Sequence, residues 1–198
     1  FQAVIAYLPS TCILSDIASV KTGLQEFYAS TGMRYVSTHP MFGPTFANLE
    51  DLSSQSAIII SESDHMGKAF FKDLYQSLKL QIFEYTFLEH DETIAYSLSI
   101  PFASTIVFAA VMKHQDAPGT TFKRHLAIAR GLFAEDDYLL SEILFNPFTP
   151  SQVEKIRGEL KFLLEIIEQK DSKAMHSYLQ KLRENSVMKD LSSYKVVV

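Results

Sequence analysis

Along the first 86 residues, short apolar runs alternate with stretches in which apolar positions recur every three or four residues, and beyond that point only the second pattern continues. The period-2 or continuous runs predict buried strands at 12–16, 34–37, 57–60 and 80–86. The helical period predicts helices at 1–8, closed by Pro9, at 19–30, and after Ser63 or Asp64. Either of these can cap the third helix, whose apolar residues Met66, Ala69, Phe70, Leu74 and Leu78 fall on one face. Alternation of strands and helices is the mark of a mostly parallel sheet, here built of β-α units whose first members are missing. Residues 39–54 read as the loop between the second and third strands.

The remainder reads as all-α, with helices at 91–112, 121–133, 136–145, 150–169 and 172–185. Thr149 followed by Pro150 is a start signal, because a hydroxyl can accept an orphan amide and proline is tolerated at the first helical position. Val153, Ile156, Leu160, Leu163 and Ile167 mark one apolar face of that helix. Residues 93–112 carry no charge and are long enough to span a bilayer. Thr93, Ser97, Ser99, Ser104, Thr105 and Pro101 interrupt the run, and Glu89, Asp91, Glu92 and Lys113 flank it, so it is read as a fully buried helix of a soluble bundle. Such long apolar helices in so short a region call for a second copy of the chain, which makes a homodimer the expectation. The final residues 191–198 read as a frayed tail.

The 198 residues carry a formal charge of −5 with no Lys/Arg run. Clustered cations supply phosphate contacts, so nucleic acid and anionic membranes are excluded as partners while a small anionic ligand is retained. Cys12 is the only cysteine and is expected to be buried. A single thiol permits neither an intrachain disulfide nor an all-cysteine metal cage, and no secretory signal opens the chain, so a cytoplasmic setting is expected. No metal site is expected. The seven glycines lie no closer than nine residues apart, so neither Gly-x-Gly-x-x-Gly nor a Walker loop is present.

Four stretches carry candidate chemistry. In SDIASVK (15–21), Ser19 at the carboxyl end of a strand either meets a ligand oxygen or caps the next helix, and Lys21 is expected to be solvated. In STHPMFGP (37–44), His39 ends a strand before a stiff turn, where it acts as a general base or bonds a carbonyl. In EHDE (89–92), Glu89, Asp91 and Glu92 suit the positive end of a helix, while His90 can face a cleft. In FKRHLAIARG (122–131), Lys123 and Arg130 lie seven residues apart on nearly one face. Arg130 can grip a carboxylate with two parallel bonds, although helix cations are usually a solvated face.

DIASVK, HPMFGP, EHD and LFAEDDYLLSEI, in this order, resemble the landmarks of the prephenate dehydrogenase family, prephenate/arogenate dehydrogenases of tyrosine biosynthesis. The resemblance implies an α/β fold followed by all-α. Residues 1–86 would be the C-terminal part of a Rossmann-like nucleotide-binding domain, and 87–198 a helical substrate-binding and dimerisation domain. It implies an NAD- or NADP-dependent oxidative decarboxylation of prephenate to 4-hydroxyphenylpyruvate. His39 would be the catalytic base, Ser19 would assist near the hydroxyl and the nicotinamide, and His90 would line the substrate pocket. Two departures stand out. The family's phosphate loop would precede this chain, which implies that the chain is inactive alone. The family's carboxylate-binding arginine falls on Gly131, which leaves Arg130 first, Arg124 second and Lys123 as a further cation. The alternatives are an arogenate or mixed-specificity dehydrogenase, and a non-catalytic helical dimerisation or ligand-sensing module.

Overall fold

The computed structural model describes residues 3–43, 48 and 50–185. It divides into two compact units, Phe1–Val153 and Glu154–Val198. Pro44 of the HPMFGP motif and the tail 191–198 lie outside the described residues.

In the first unit, β1 (Ile13–Asp16), β2 (Arg34–Pro40), β3 (Ser56–Ile60) and β4 (Gln81–Tyr85) form one sheet in that order. β1 is parallel to β2 and β3 to β4, each pair joined through a helix, α1 (Leu24–Thr31) or α2 (His65–Ser77). β2 and β3 are antiparallel, with His39 opposite Ile58. The mostly parallel sheet is therefore as expected. Its two faces bury alternate residues of β3: Ile58 and Ile60 join Leu14, Tyr28 and Phe87, while Ala57 and Ile59 join Tyr75 and Leu80. Burial on both sides is why β3 reads as an unbroken apolar run.

Several expected boundaries shift for physical reasons. Of the helix expected at 1–8, the described residues 3–8 supply a 3-10 turn at Ile5–Tyr7. Cys12 precedes β1 and is half-buried, not enclosed in a strand. The helix expected from residue 19 begins at Leu24, because Gly23 adopts φ 78°, a left-handed conformation that a helix cannot pass through. Ser19 therefore caps nothing. β2 runs three residues beyond 37 because its polar residues Ser37, Thr38 and His39 are buried, contrary to the usual pattern.

The apolar stripe predicted to hold α2 to the sheet faces outward instead. Met66, Phe70 and Leu74 are 57%, 63% and 39% exposed, while Gly67, Phe71 and Tyr75 turn inward. The reason is a close approach: a Cβ at Gly67 would sit 2.6 Å from Val36 Cβ. Asp64 caps α2 by accepting from the Met66 and Gly67 amides, whereas Ser63 accepts from the Ser37 amide at 3.0 Å.

α3 (Phe87–Ile94) starts four residues before the predicted 91, because Thr86 and Glu89 form a capping box. It passes through a π turn at Ala95–Ser99 into α4 (Ile100–Val111). Pro101 has no amide to return to the carbonyl four residues back, and the wider turn just before it absorbs that mismatch. The helix Phe87–Val111 is long and apolar enough to cross a membrane by length and composition. It is not a fully buried helix, since α4 has no buried residue and Val107 and Val111 are 56% and 71% exposed. α5 (Thr120–Leu132) and α6 (Asp137–Leu144) follow, the latter capped by Asp136. α7 (Thr149–Gln169) begins at Thr149, but that hydroxyl does not cap it. It donates to Ser99 Oγ at 2.7 Å, and Ser99 donates to the Ile143 carbonyl.

The second unit is the hairpin of the later part of α7 with α8 (Ser172–Glu184). The Phe162 and Tyr178 rings meet edge to face, and Tyr178 donates to Glu159 at 2.8 Å. Leu160, Leu164 and Ile167 remain about half exposed on it.

Candidate active site

The carboxyl end of β1, the end of β2 and the start of α3 bring together residues far apart in sequence. Lys21, expected in solvent, is 1% exposed. Its ammonium donates to Asp16 Oδ1 and to the Thr38 carbonyl at 2.7 Å, while Tyr28 donates to the other Asp16 oxygen at 2.6 Å. Burial pulls the Lys21 ammonium below its ordinary value, against the opposing charge and hydrogen bond of Asp16. The 17–22 loop is tied to α3 as well: Asp91 Oδ1 accepts from the Lys21 amide at 3.3 Å and Oδ2 from the Thr22 hydroxyl at 2.9 Å.

His39 and His90 meet beside this network. His39 Nδ1 is 3.0 Å from His90 Nε2, and His90 Nδ1 is 3.1 Å from Asp91 Oδ1. Burial, reinforced by the nearby His90 and Lys21, pushes the His39 imidazole down to about 3, against the pull of Asp16. Burial lowers His90 also, opposed by its bond to Asp91. Both rings are therefore neutral near pH 7, and a neutral ring is the form that can accept a proton. Asn146, 1% exposed, donates to the Asp91 carbonyl at 2.8 Å and fixes the start of α3 from the α6 side.

Ser19 and His39 line a cavity of about 300 Å³ within the first unit. Its other walls are apolar: Met41 and Phe42 after β2, Leu98, Pro101 and Phe102 from the π turn and α4, and Ile128 and Leu132 from α5. Glu135 is the charged residue on the wall among the described residues. The arrangement offers a ring-sized, mostly apolar slot with a neutral histidine and a hydroxyl residue among its lining.

Of the residues singled out in the sequence, Ser19 and His39 share this cavity. His90 is 0% exposed and stands behind His39, not on the cavity wall. Lys123, Arg124 and Arg130 are exposed on α5, and none is on the wall. Sequence reasoning missed Lys21, Asp91 and Asn146 as members of the buried network. The one available signal was Asp91 beside His90, which the preference of helix starts for acids explains equally well. Glu89 alone plays that capping role. No group of three or more His, Cys, Asp or Glu that could hold a metal exists among the described residues.

A mostly parallel α/β sheet runs into a helical region, with a buried histidine pair between the end of β2 and the start of α3. No protein-family model matches the chain. It is 24% identical over 148 residues to the T-protein of Enterobacter agglomerans, covering 70% of this chain and 39% of that protein. It is 23% identical over 175 residues to a protein of Methanocaldococcus jannaschii named "Probable arogenate/prephenate dehydrogenase", covering 81% and 39%. The chain thus spans about two fifths of the length of these relatives. Among solved structures, prephenate dehydrogenase from A. aeolicus in complex with hydroxyphenyl propionate and NAD+ superposes with a TM-score of 0.73 at 18% identity, over 91% of this chain and 68% of that one. Synechocystis arogenate dehydrogenase gives 0.68 at 18%, over 91% and 70%. The fold is that of these enzymes, and the sequence is similar to the T-protein and to the probable arogenate/prephenate dehydrogenase.

Proposed function

We propose that this chain is the histidine-bearing, substrate-binding part of an NAD- or NADP-dependent prephenate dehydrogenase, a cytoplasmic enzyme that converts prephenate to 4-hydroxyphenylpyruvate and carbon dioxide. The observation that carries the reading is His39, neutral and hydrogen-bonded through Nδ1 to His90, on the wall of a ring-sized cavity that Ser19 also lines. His39 Nε2 accepts the proton of the ring hydroxyl as hydride leaves the carbon that bears it. The Ser19 hydroxyl bonds the same oxygen. The carbon–carbon bond to the ring carboxylate then breaks, its electron pair completes the aromatic ring, and the apolar wall keeps water from the reacting carbons.

The residues present fit only one end of a nicotinamide dinucleotide. Ser19 and the carboxyl end of β1 suit the ring end, while glycines spaced nine or more residues apart make no phosphate loop in these 198 residues. The nicotinamide, when bound, supplies the hydride acceptor.

For the substrate's carboxylate, helical geometry favours Arg124 over Arg130 and Lys123. α5 lends Ile128 and Leu132 to the cavity, and at 3.6 residues per turn Arg124 lies about 40° from Ile128 while Arg130 lies about 160° away. A homodimer is proposed through the exposed apolar residues of α4, and separately through those of the α7–α8 hairpin.

A second reading, arogenate as substrate, is favoured by Glu135, a carboxylate on the cavity wall that suits an ammonium group. Calorimetric titration of prephenate and of arogenate into the chain tests both. Saturable binding of one substrate, modestly weaker in His39→Ala, is expected, and the tighter ligand decides between them. Absence of binding by both overturns the reading.

A further inference from the structure

The three polar residues Asp91, His90 and His39 form a chain of hydrogen bonds with a single possible direction, and that direction reaches the cavity. Asp91 begins it. Its Oδ1 already accepts from the Lys21 amide and its Oδ2 from the Thr22 hydroxyl, so the carboxylate faces His90 Nδ1 as an acceptor. His90 must then carry its proton on Nδ1, which leaves Nε2 as a lone pair. That lone pair lies 3.0 Å from His39 Nδ1, which must in turn be the protonated nitrogen. The opposite tautomer of His39 would set two lone pairs against each other in a site where His90 is 0% and His39 4% exposed, and an unmade hydrogen bond is costly in such a buried place. His39 Nε2 is left as the acceptor.

We propose that Asp91 is a positioning residue: through His90 it fixes His39 as the Nδ1–H tautomer, so that Nε2 presents its lone pair to the cavity. The assignment rests on the function proposed above only for what that lone pair then accepts. The charged groups around the pair are Asp16 from β1, Lys21 from the 17–22 loop and Asp91 from α3, and the cavity adds Glu135. Lys21 and Asp16 neutralise one another at contact distance, which leaves Asp91 as the acceptor that orders the two rings.

Nitrogen-15 spectra of the chain labelled in histidine read the tautomer directly, without turnover. In the parent chain His39 and His90 are expected as Nδ1–H tautomers, unchanged from pH 6 to 8. Asp91→Ala frees His90 to reverse, and His39 should then populate the Nε2–H form. His90→Phe should do the same by removing the acceptor, and Asp91→Asn, which keeps an acceptor oxygen, should restore the parent tautomer. An Nε2–H His39 in the parent overturns the proposal, as does a His39 tautomer untouched in both Asp91→Ala and His90→Phe. Where prephenate is turned over, Asp91→Ala should lower kcat by about 100-fold or more with KM little changed, the range in which general-base catalysis contributes. If the tautomers follow this pattern and the parent neither binds nor converts prephenate, the relay stands and the proposed function falls.

Discussion

His39 and His90 share one buried hydrogen bond of 3.0 Å between Nδ1 and Nε2, and burial disfavours a proton on either ring. A proton added to either would place a cation beside its neighbour and close to the Lys21 ammonium, in a site shielded from water. The bond therefore couples the chemistry of the cavity to the stability of the fold. His39, at 6.5 in the unfolded chain, titrates near 3 in the folded one, and His90 is shifted the same way. Between those values the unfolded state binds more protons, so stability is fully present above about pH 6.5 and falls as the pH drops below it. Urea denaturation at pH 7 and pH 5 should show a lower midpoint at pH 5, and the drop should be smaller in His39→Gln. An equal drop in both proteins would mean that other groups carry it.

Lys21 is held by Asp16 and the Thr38 carbonyl with its side chain 0% exposed. Removing one partner of a buried ion pair strands the other, at a cost of about 3–5 kcal/mol. Lys21→Met should therefore destabilise the chain by about that much in chemical denaturation. The variant Lys21→Met/Asp16→Leu should recover part of the loss, because no charge is then left unpaired.

Gly67 lets α2 approach β2 until its Cα side meets Val36, and a methyl group there would arrive 2.6 Å from Val36 Cβ. Backbone must move to admit it. Gly67→Ala should destabilise by about 1–3 kcal/mol despite alanine's better helix propensity. Val36→Gly, which removes the Cβ itself, should relieve the clash, whereas Val36→Ala removes only the Cγ contacts at 2.9 and 3.3 Å and should relieve less, so the double-mutant cycle with Val36→Gly should give the larger interaction energy of stabilising sign.

The elements that were legible in the sequence are those whose pattern is set by local chemistry and the water interface. β3 could be read from Ala57 to Ile60 because both sheet faces are covered, and α6 from Asp136 and its following period. The α2 face was misread because Gly67 contributes no apolar signal yet sets the packing, whereas Met66 and Phe70 contribute a strong one and face outward. The start of α1 was hidden by Gly23, whose left-handed backbone carries no hydrophobic mark. In the site, the local motif around His39 was readable. The partners of Asp91 were not, because Lys21 and Thr22 lie about 70 residues away and the bonds exist only once the sheet and α3 have assembled.

The cations of α5 provide a test of how far helical phase alone can assign a binding residue. Ile128 and Leu132 face the cavity, and Arg124 lies on the same stripe one turn before Ile128, while Arg130 lies between them in sequence but on the far side of the helix. An arginine at the lip of an apolar slot can hold a carboxylate with two parallel bonds, and loss of such a charge-assisted contact is worth about 1.5–3 kcal/mol. Arg124→Ala should therefore weaken prephenate binding by about 10- to 100-fold in calorimetric titration, and Arg130→Ala by less than about threefold. Arg124→Lys should recover little, since a single ammonium cannot reproduce the fork. The reverse order of the two alanine variants would mean that α5 is locally rewound at Gly131, or that the carboxylate is met from a second copy of the chain, and the stripe would lose its meaning as a guide to the site.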